Sequence, residues 1–216
     1  MRPLRAFLLG PLLLVAAAAT SPRPEPLLFF GEDWDAADGD FPSARAAHDA
    51  FVSYLGRIAR EDFEAQRGAV LELPMGGYGA RVVGHANDSV STAVARTPGR
   101  RATSHERFFE HGSETLVIVL DRPAEAVGFY GIDVGDAGGV LIMTVAAADG
   151  SWERSYPVPH RVVPRGDGQG DAAVLFFGVV APGVAIERIE LRNAGDPGDG
   201  FGYDDLIVGQ VRRLVS

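Results

Sequence analysis

The most regular pattern of apolar positions lies between Ser43 and Arg60, "SARAAHDAFVSYLGRIAR". Ala47, Phe51, Tyr54, Leu55 and Ile58 recur there at the three-to-four spacing that puts side chains on one face of a helix. Ser43 is a residue type that caps helix N-termini. The spacing therefore predicts one amphipathic helix over Ser43–Arg60, with His48 beside the apolar face as a solvated or edge-of-core ring. After Glu61 the period changes to that of strands. Candidates are Asp62–Ala65, Ala69–Leu73, Ala80–Val83, Val90–Ala95, Thr115–Leu120, Ala126–Val134, Val140–Ala147, Glu153–Val158, Ala173–Val180, Ile186–Arg192 and Leu206–Val211, with a short one at Leu27–Phe30. Gly, Pro, Asp or Asn separates most of them. Many short strands punctuated by turn residues predict an all-β sandwich of the jelly-roll type, with about 9–11 strands and one helix before them. The helix is expected to cap an open end or an edge of a sheet.

The N-terminus stands apart from this pattern. "MRPLRAFLLGPLLLVAAAAT" has arginines, an apolar run and then small residues, which is the layout of a secretory signal. Residues 1–19 are read as that signal, with cleavage after Ala19, and the mature chain is expected outside the cytoplasm, secreted or periplasmic. Residues 20–42 follow as an extended linker with an acidic loop, residues 43–60 as the helix and residues 61–216 as the sandwich domain. No cysteine is present, so no thiolate metal site, disulfide or cysteine nucleophile exists. All 20 basic residues are arginine, and the net charge of −9 disfavours a nucleic-acid backbone as partner.

Candidate chemistry gathers at "DPGDGFGYDDLIVG", Asp196–Gly209. Turn chemistry accounts for "DPGDG". "YDDL" is unusual, because adjacent aspartates are poor strand material and alternate between faces. Placed where a strand begins, they offer carboxylates to a hard cation that takes six to eight oxygens. The EF-hand spacing fails, and the tandem nonapeptide is present in a single copy. If the first and last strands lie side by side, Glu64 of "EDFE" meets Asp204 or Asp205 around one structural Ca2+. A solvated turn is the competing reading. The five histidines are scattered, and neither H-E-x-x-H nor G-x-S-x-G occurs. Trp152 follows the turn "ADG" and is the best single aromatic for ligand contact.

"EDFE", "AVGFYGIDV", "VLFFGVV" and "DGFGYDDLIVG" together resemble a family of secreted bacterial jelly-roll surface proteins associated with PEP-CTERM sorting tails. The resemblance covers about Ser43 to Gly209. An early "FE" with a late "DD" is more distantly similar to the extracellular MAM domain, which implies a structural calcium at Glu64, Asp204 and Asp205. The sorting tail is not matched by the terminal "VRRLVS", so simple secretion is expected. The sequence thus favours a non-catalytic extracellular binding or structural module for glycan or matrix. The alternative is a glycan-active hydrolase or lyase, which requires convergent carboxylates in a deep cleft.

Overall fold

The computed structural model describes residues 24–34, 36, 39–67, 72–83, 89–92, 100–111, 115–135, 138–162, 172–194 and 200–213. The signal reading of residues 1–19 and the turn at 196–199 lie outside them. In chain order the elements are β1 (Leu27–Asp33), α1 (Pro42–Ser53), β2 (Leu55–Glu61), β3 (Glu72–Leu73), β4 (Ala80–Val83), β5 (Ser89–Thr92), β6 (Arg107–His111) and β7 (Thr115–Ala124). They continue with β8 (Ala126–Ile132), β9 (Leu141–Ala147), β10 (Glu153–Pro157), β11 (Val174–Val180), β12 (Ile186–Asn193) and β13 (Phe201–Val211).

Two antiparallel sheets pack face to face as a jelly-roll-type sandwich. One has the order β1-β11-β8-β13-β6-β5, with β2 also paired to β13; the other runs β10-β9-β12-β7-β4-β3. Val127, Phe129, Leu175, Phe177 and Val208 of the first meet Leu116, Ile118, Met143, Val145, Ile189 and Leu191 of the second in one buried core. Among the described residues, the void between the sheets beside Phe63, Phe109, Phe129 and Tyr203 is about 10 Å³, the lower limit for a single water.

The helix is shorter than its sequence period predicts, and it lies elsewhere. It stops at Ser53, and Leu55–Glu61 forms β2 against Leu206–Val211 of β13. Leu55 and Ile58 fit a helical face in sequence, but Ile58 is exposed. An unpaired edge of β13 offers backbone hydrogen bonds to the incoming chain, and this tertiary pairing overrides the local period. The helix covers the outer face of the first sheet rather than an end or an edge. Ala44, Ala47 and Phe51 bury there against Ala126, Tyr130, Phe176 and Val180. Phe51 rests on a pair of cross-strand glycines, Gly128 and Gly178. A Cβ on Gly178 would stand 2.6 Å from the Phe51 ring, so only glycine admits the helix this closely.

Ser43 does not cap the helix. Asp33, at the end of β1, accepts hydrogen bonds from the backbone N–H groups of Ser43 (3.2 Å) and Ala44 (2.9 Å). Its negative charge sits at the positive end of the helix. The segment read as a linker therefore contributes β1 and the helix cap, and the sandwich begins at Leu27 instead of residue 61. Asp62–Ala65 is a turn, not a strand.

Candidate functional site

The strand just before Glu64 pairs with the last strand, and Glu64, Asp204 and Asp205 each accept hydrogen bonds from the segment 103–107. The two aspartates are not at the start of β13, however. They lie inside it, where its pairing with β8 shifts register between Asp204 and Ile207. Tyr203 and Leu206 both point into the inter-sheet core with two residues between them. The strand has taken an extra residue there, a bulge, and Asp205 has a φ of +46°. The bulge turns both carboxylates to the outer face, where the expectation was opposite faces. It also marks a change of partner. Phe201–Tyr203 pair with β6, whereas Leu206–Val211 pair with β2.

The three carboxylates share the segment that precedes and opens β6. Oδ2 of Asp204 accepts hydrogen bonds from Thr103 N (2.7 Å), Thr103 Oγ1 (2.9 Å) and Ser104 N (3.0 Å), and Oδ1 accepts from its neighbour Asp205 N (2.8 Å). Asp205 accepts from Ser104 Oγ (3.0 Å) and stands 3.4 Å from the Arg60 guanidinium. Glu64 Oε1 accepts from Glu106 N (2.9 Å) and Arg107 N (2.6 Å). All three grip the segment that leads into β6. Burial, then the Asp205 charge, pushes Asp204 up to about 7, against the pull of the donated hydrogen bonds. Burial also raises Asp205, with Arg60 opposing.

Two of the oxygens offered to a calcium ion are already engaged. Oδ2 of Asp204 is saturated by three N–H or O–H donors, and Oε1 of Glu64 by two, where a cation needs free lone pairs. Among the described residues, no group of three or more His, Asp or Glu is placed to hold a metal ion. The cluster is a hydrogen-bonded latch between strands.

Other polar groups the sequence left unremarked are also structural. Arg100 pairs with buried Asp133 (2.5 Å) and with Glu110 (2.8 Å), and donates to Gly200 O (2.7 Å). Glu125 accepts from Gly183 N (2.8 Å) and Val211 N (3.0 Å). His160 accepts from Leu141 N through Nε2, so its proton is on Nδ1, which faces Arg161 O. His48 is an edge-of-core ring, stacked on Tyr130 at 5.5 Å. Trp152 is not an exposed loop-tip platform: it is half-buried against the core, with the Arg154 guanidinium 5.9 Å from its ring.

The open surface is the outer face of the second sheet. Alternation with the core residues puts Val117, Val119, Ile142, Thr144, Arg188, Glu190 and Arg192 on it. Register aligns Ser155, Thr144, Glu190, Val117 and Val83 in one row across five strands. The next row reads Glu153, Ala146, Arg188, Val119, Arg81 and Glu72. At the β3–β4 edge this row runs into a groove of about 460 Å³, lined by Gln66, Glu72, Pro74, Gly79, Arg81 and Asp121 among others. A second groove of about 260 Å³ holds Glu125, already committed to backbone N–H groups. The glycine-rich turn "GGYG" ahead of an alternating strand was the available sequence signal for the larger groove.

No protein-family profile matches the chain, and no curated protein does. Among solved structures it is similar to the K2 cleaved adhesin domain of Lys-gingipain, at 11% identity over 70% of this chain and 97% of that one, with a TM-score of 0.44. It is also similar to the carbohydrate-binding module TmCBM61 in complex with β-1,4-galactotriose, at 19% identity over 72% and 97%, with a TM-score of 0.36. A family 11 carbohydrate-binding module from Clostridium thermocellum aligns at 15% identity over 72% and 98%, with a TM-score of 0.30.

Proposed function

We propose that the chain is an exported, non-catalytic binding module that takes a glycan on the outer face of its second sheet. The observation that carries this reading is the asymmetry of the sandwich. One outer face carries a helix; the other presents rows of guanidinium, carboxylate and hydroxyl groups separated by small aliphatic side chains. Such a surface offers donors and acceptors to a hydroxyl-rich chain lying across the strands. Glu64 and Asp204 hold backbone N–H groups, and Asp205 faces Ser104 Oγ and Arg60, so none of the three stands free as one of an acid–base pair. The N-terminal signal pattern supports export, and among the described residues no helix is long and apolar enough to cross a membrane.

A glycan array probed with the mature chain tests the binding. Retention of one or more glycans, with no release of reducing ends on incubation, is the expected result. Reducing-end release favours the hydrolase reading, and an unsaturated product favours the lyase reading. Retention of no glycan overturns the proposal. N-terminal sequencing of exported protein is expected to begin at Thr20.

A further inference from the structure

We infer that the groove at the β3–β4 edge is the primary subsite of that surface, and that it recognises vicinal hydroxyls of a neutral sugar through Arg81 and Asp121. The inference rests on the glycan-binding reading above.

Arg81 and Asp121 come from neighbouring strands, with Arg81 paired to Val119 two residues before Asp121. Arg81 Nε lies 3.7 Å from Asp121 Oδ1. That exceeds the 2.7–3.2 Å of an N–H···O hydrogen bond, so the two charges face each other without closing. A hydroxyl suits such a gap, since it accepts from the guanidinium while donating to the carboxylate. Two adjacent hydroxyls use the remaining N–H donors and carboxylate oxygen in the same way.

The backbone beneath Asp121 lets its carboxylate lie close. Gly79 has a φ of +59°, and its amide carbonyl accepts from Asp121 N at 3.0 Å. A Cβ on Gly79 would collide with Asp121 Oδ2. Glycine therefore lets the carboxylate lie against the turn, and any side chain displaces it. Pro74 adds an apolar wall for the C–H face of a pyranose. Gln66 donates through Nε2 to Glu72 O (3.1 Å), which orients its amide at the groove. Among the described residues, nothing hydrogen-bonds the Glu72 carboxylate.

Charge sets the ligand class. The groove holds two carboxylates, Glu72 and Asp121, against one guanidinium, Arg81. A uronate or sulfated sugar meets net repulsion there, and the chain's charge of −9 adds to it. A neutral sugar does not.

The test is titration calorimetry of the mature chain with cellotetraose, mannotetraose, galactotetraose and tetragalacturonate. We expect at least one neutral tetrasaccharide to bind and tetragalacturonate not to. Arg81→Ala and Asp121→Ala should each weaken that binding tenfold or more, with unchanged circular dichroism, because both side chains are exposed. Gly79→Ala should weaken it as well, and Arg45→Ala on the helix should leave it unchanged. Neutral binding that survives both Arg81→Ala and Asp121→Ala overturns the groove while leaving a glycan module. Preference for tetragalacturonate overturns the neutral class. Binding of none of the four overturns the subsite; the glycan array then decides separately whether the module reading falls with it.

Discussion

The two sheets are built from the same kinds of residue and differ in what lies outside them. In the first, β8 and β11 are buried at every position, because the core takes one face and the helix the other. In the second, β7 alternates half-buried and buried along Thr115–Leu120, because only its inner face is covered. A sheet buried twice reads as a continuous apolar run, and a sheet buried once reads as an alternation. The doubly covered sheet carries the fold's close tolerances: the Phe51–Gly178–Gly128 stack and the bulge at Asp204. The open sheet pairs its outward polar groups with one another, as Arg188 with Glu190 and Thr144 with Ser155. The close packing and the proposed recognition surface thus lie on different faces of one molecule.

Removing the helix's contact should have the largest effect. Phe51→Ala is expected to cost about 3–5 kcal/mol, the range for emptying a buried aromatic site. Urea unfolding measures it, and a loss below about 1 kcal/mol would show that the helix is not part of the folding unit. Next comes the latch. Asp204→Ala leaves the part-buried N–H groups of Thr103 and Ser104 without their acceptor and should cost about 1–3 kcal/mol. The melting midpoint should be the same in calcium and in chelator, since the latch oxygens already hold N–H and O–H donors. A midpoint that climbs with calcium concentration would restore the ion site.

The pH dependence is smaller and has a definite sign. Burial lifts Asp204 from the usual 3.8 to about 7, so between those values the folded chain keeps a proton that the unfolded chain has released. This contribution to stability is full below about pH 3.8 and is lost as pH rises through about 7. Asp205 and Glu61 are also raised by burial and act in the same direction. Wild type should therefore unfold at lower urea at pH 8 than at pH 5, and Asp204→Asn should flatten the difference. An equal or steeper slope in the variant would assign the effect elsewhere. The smallest effect belongs to the open face. Val119→Thr should change stability by no more than about 0.5 kcal/mol, as for substitutions away from buried features. A larger loss would mean that this face is covered.

The strands of the open sheet were readable with little error. Thr115–Leu120, Val140–Ala147 and Ile186–Arg192 all match observed strands, because alternation is imprinted by one buried face. The fully apolar strands Ala126–Val134 and Ala173–Val180 were also found, bounded by turn residues. What failed did so where two elements compete for one edge. Leu55 and Ile58 fit a helix, and nothing local reveals that β13 has an open edge waiting for them. Arg107–His111 went unread; it pairs on one side with Phe201–Tyr203, far along the chain, and on the other with Ser89–Thr92. β13 itself begins five residues earlier than its apolar run, because "FGYDD" reads as turn chemistry and is in fact a bulged strand. That the strand before Glu64 lies beside the last strand was legible from strand order. The role of Glu64 and Asp204 was not, because the N–H donors that fill their oxygens come from residues 103–107, which carry no motif.

By itself, the sequence determined the class of fold, the existence of a helix and the alternation that leaves one sheet face polar, because these follow from local periods of two and 3.6 residues. Only the tertiary structure decided where the helix ends, which aspartate oxygens are already occupied and that Arg81 faces Asp121 across an open gap. Those outcomes depend on pairings between distant segments, and a one-residue bulge is enough to redirect a side chain from one face to the other.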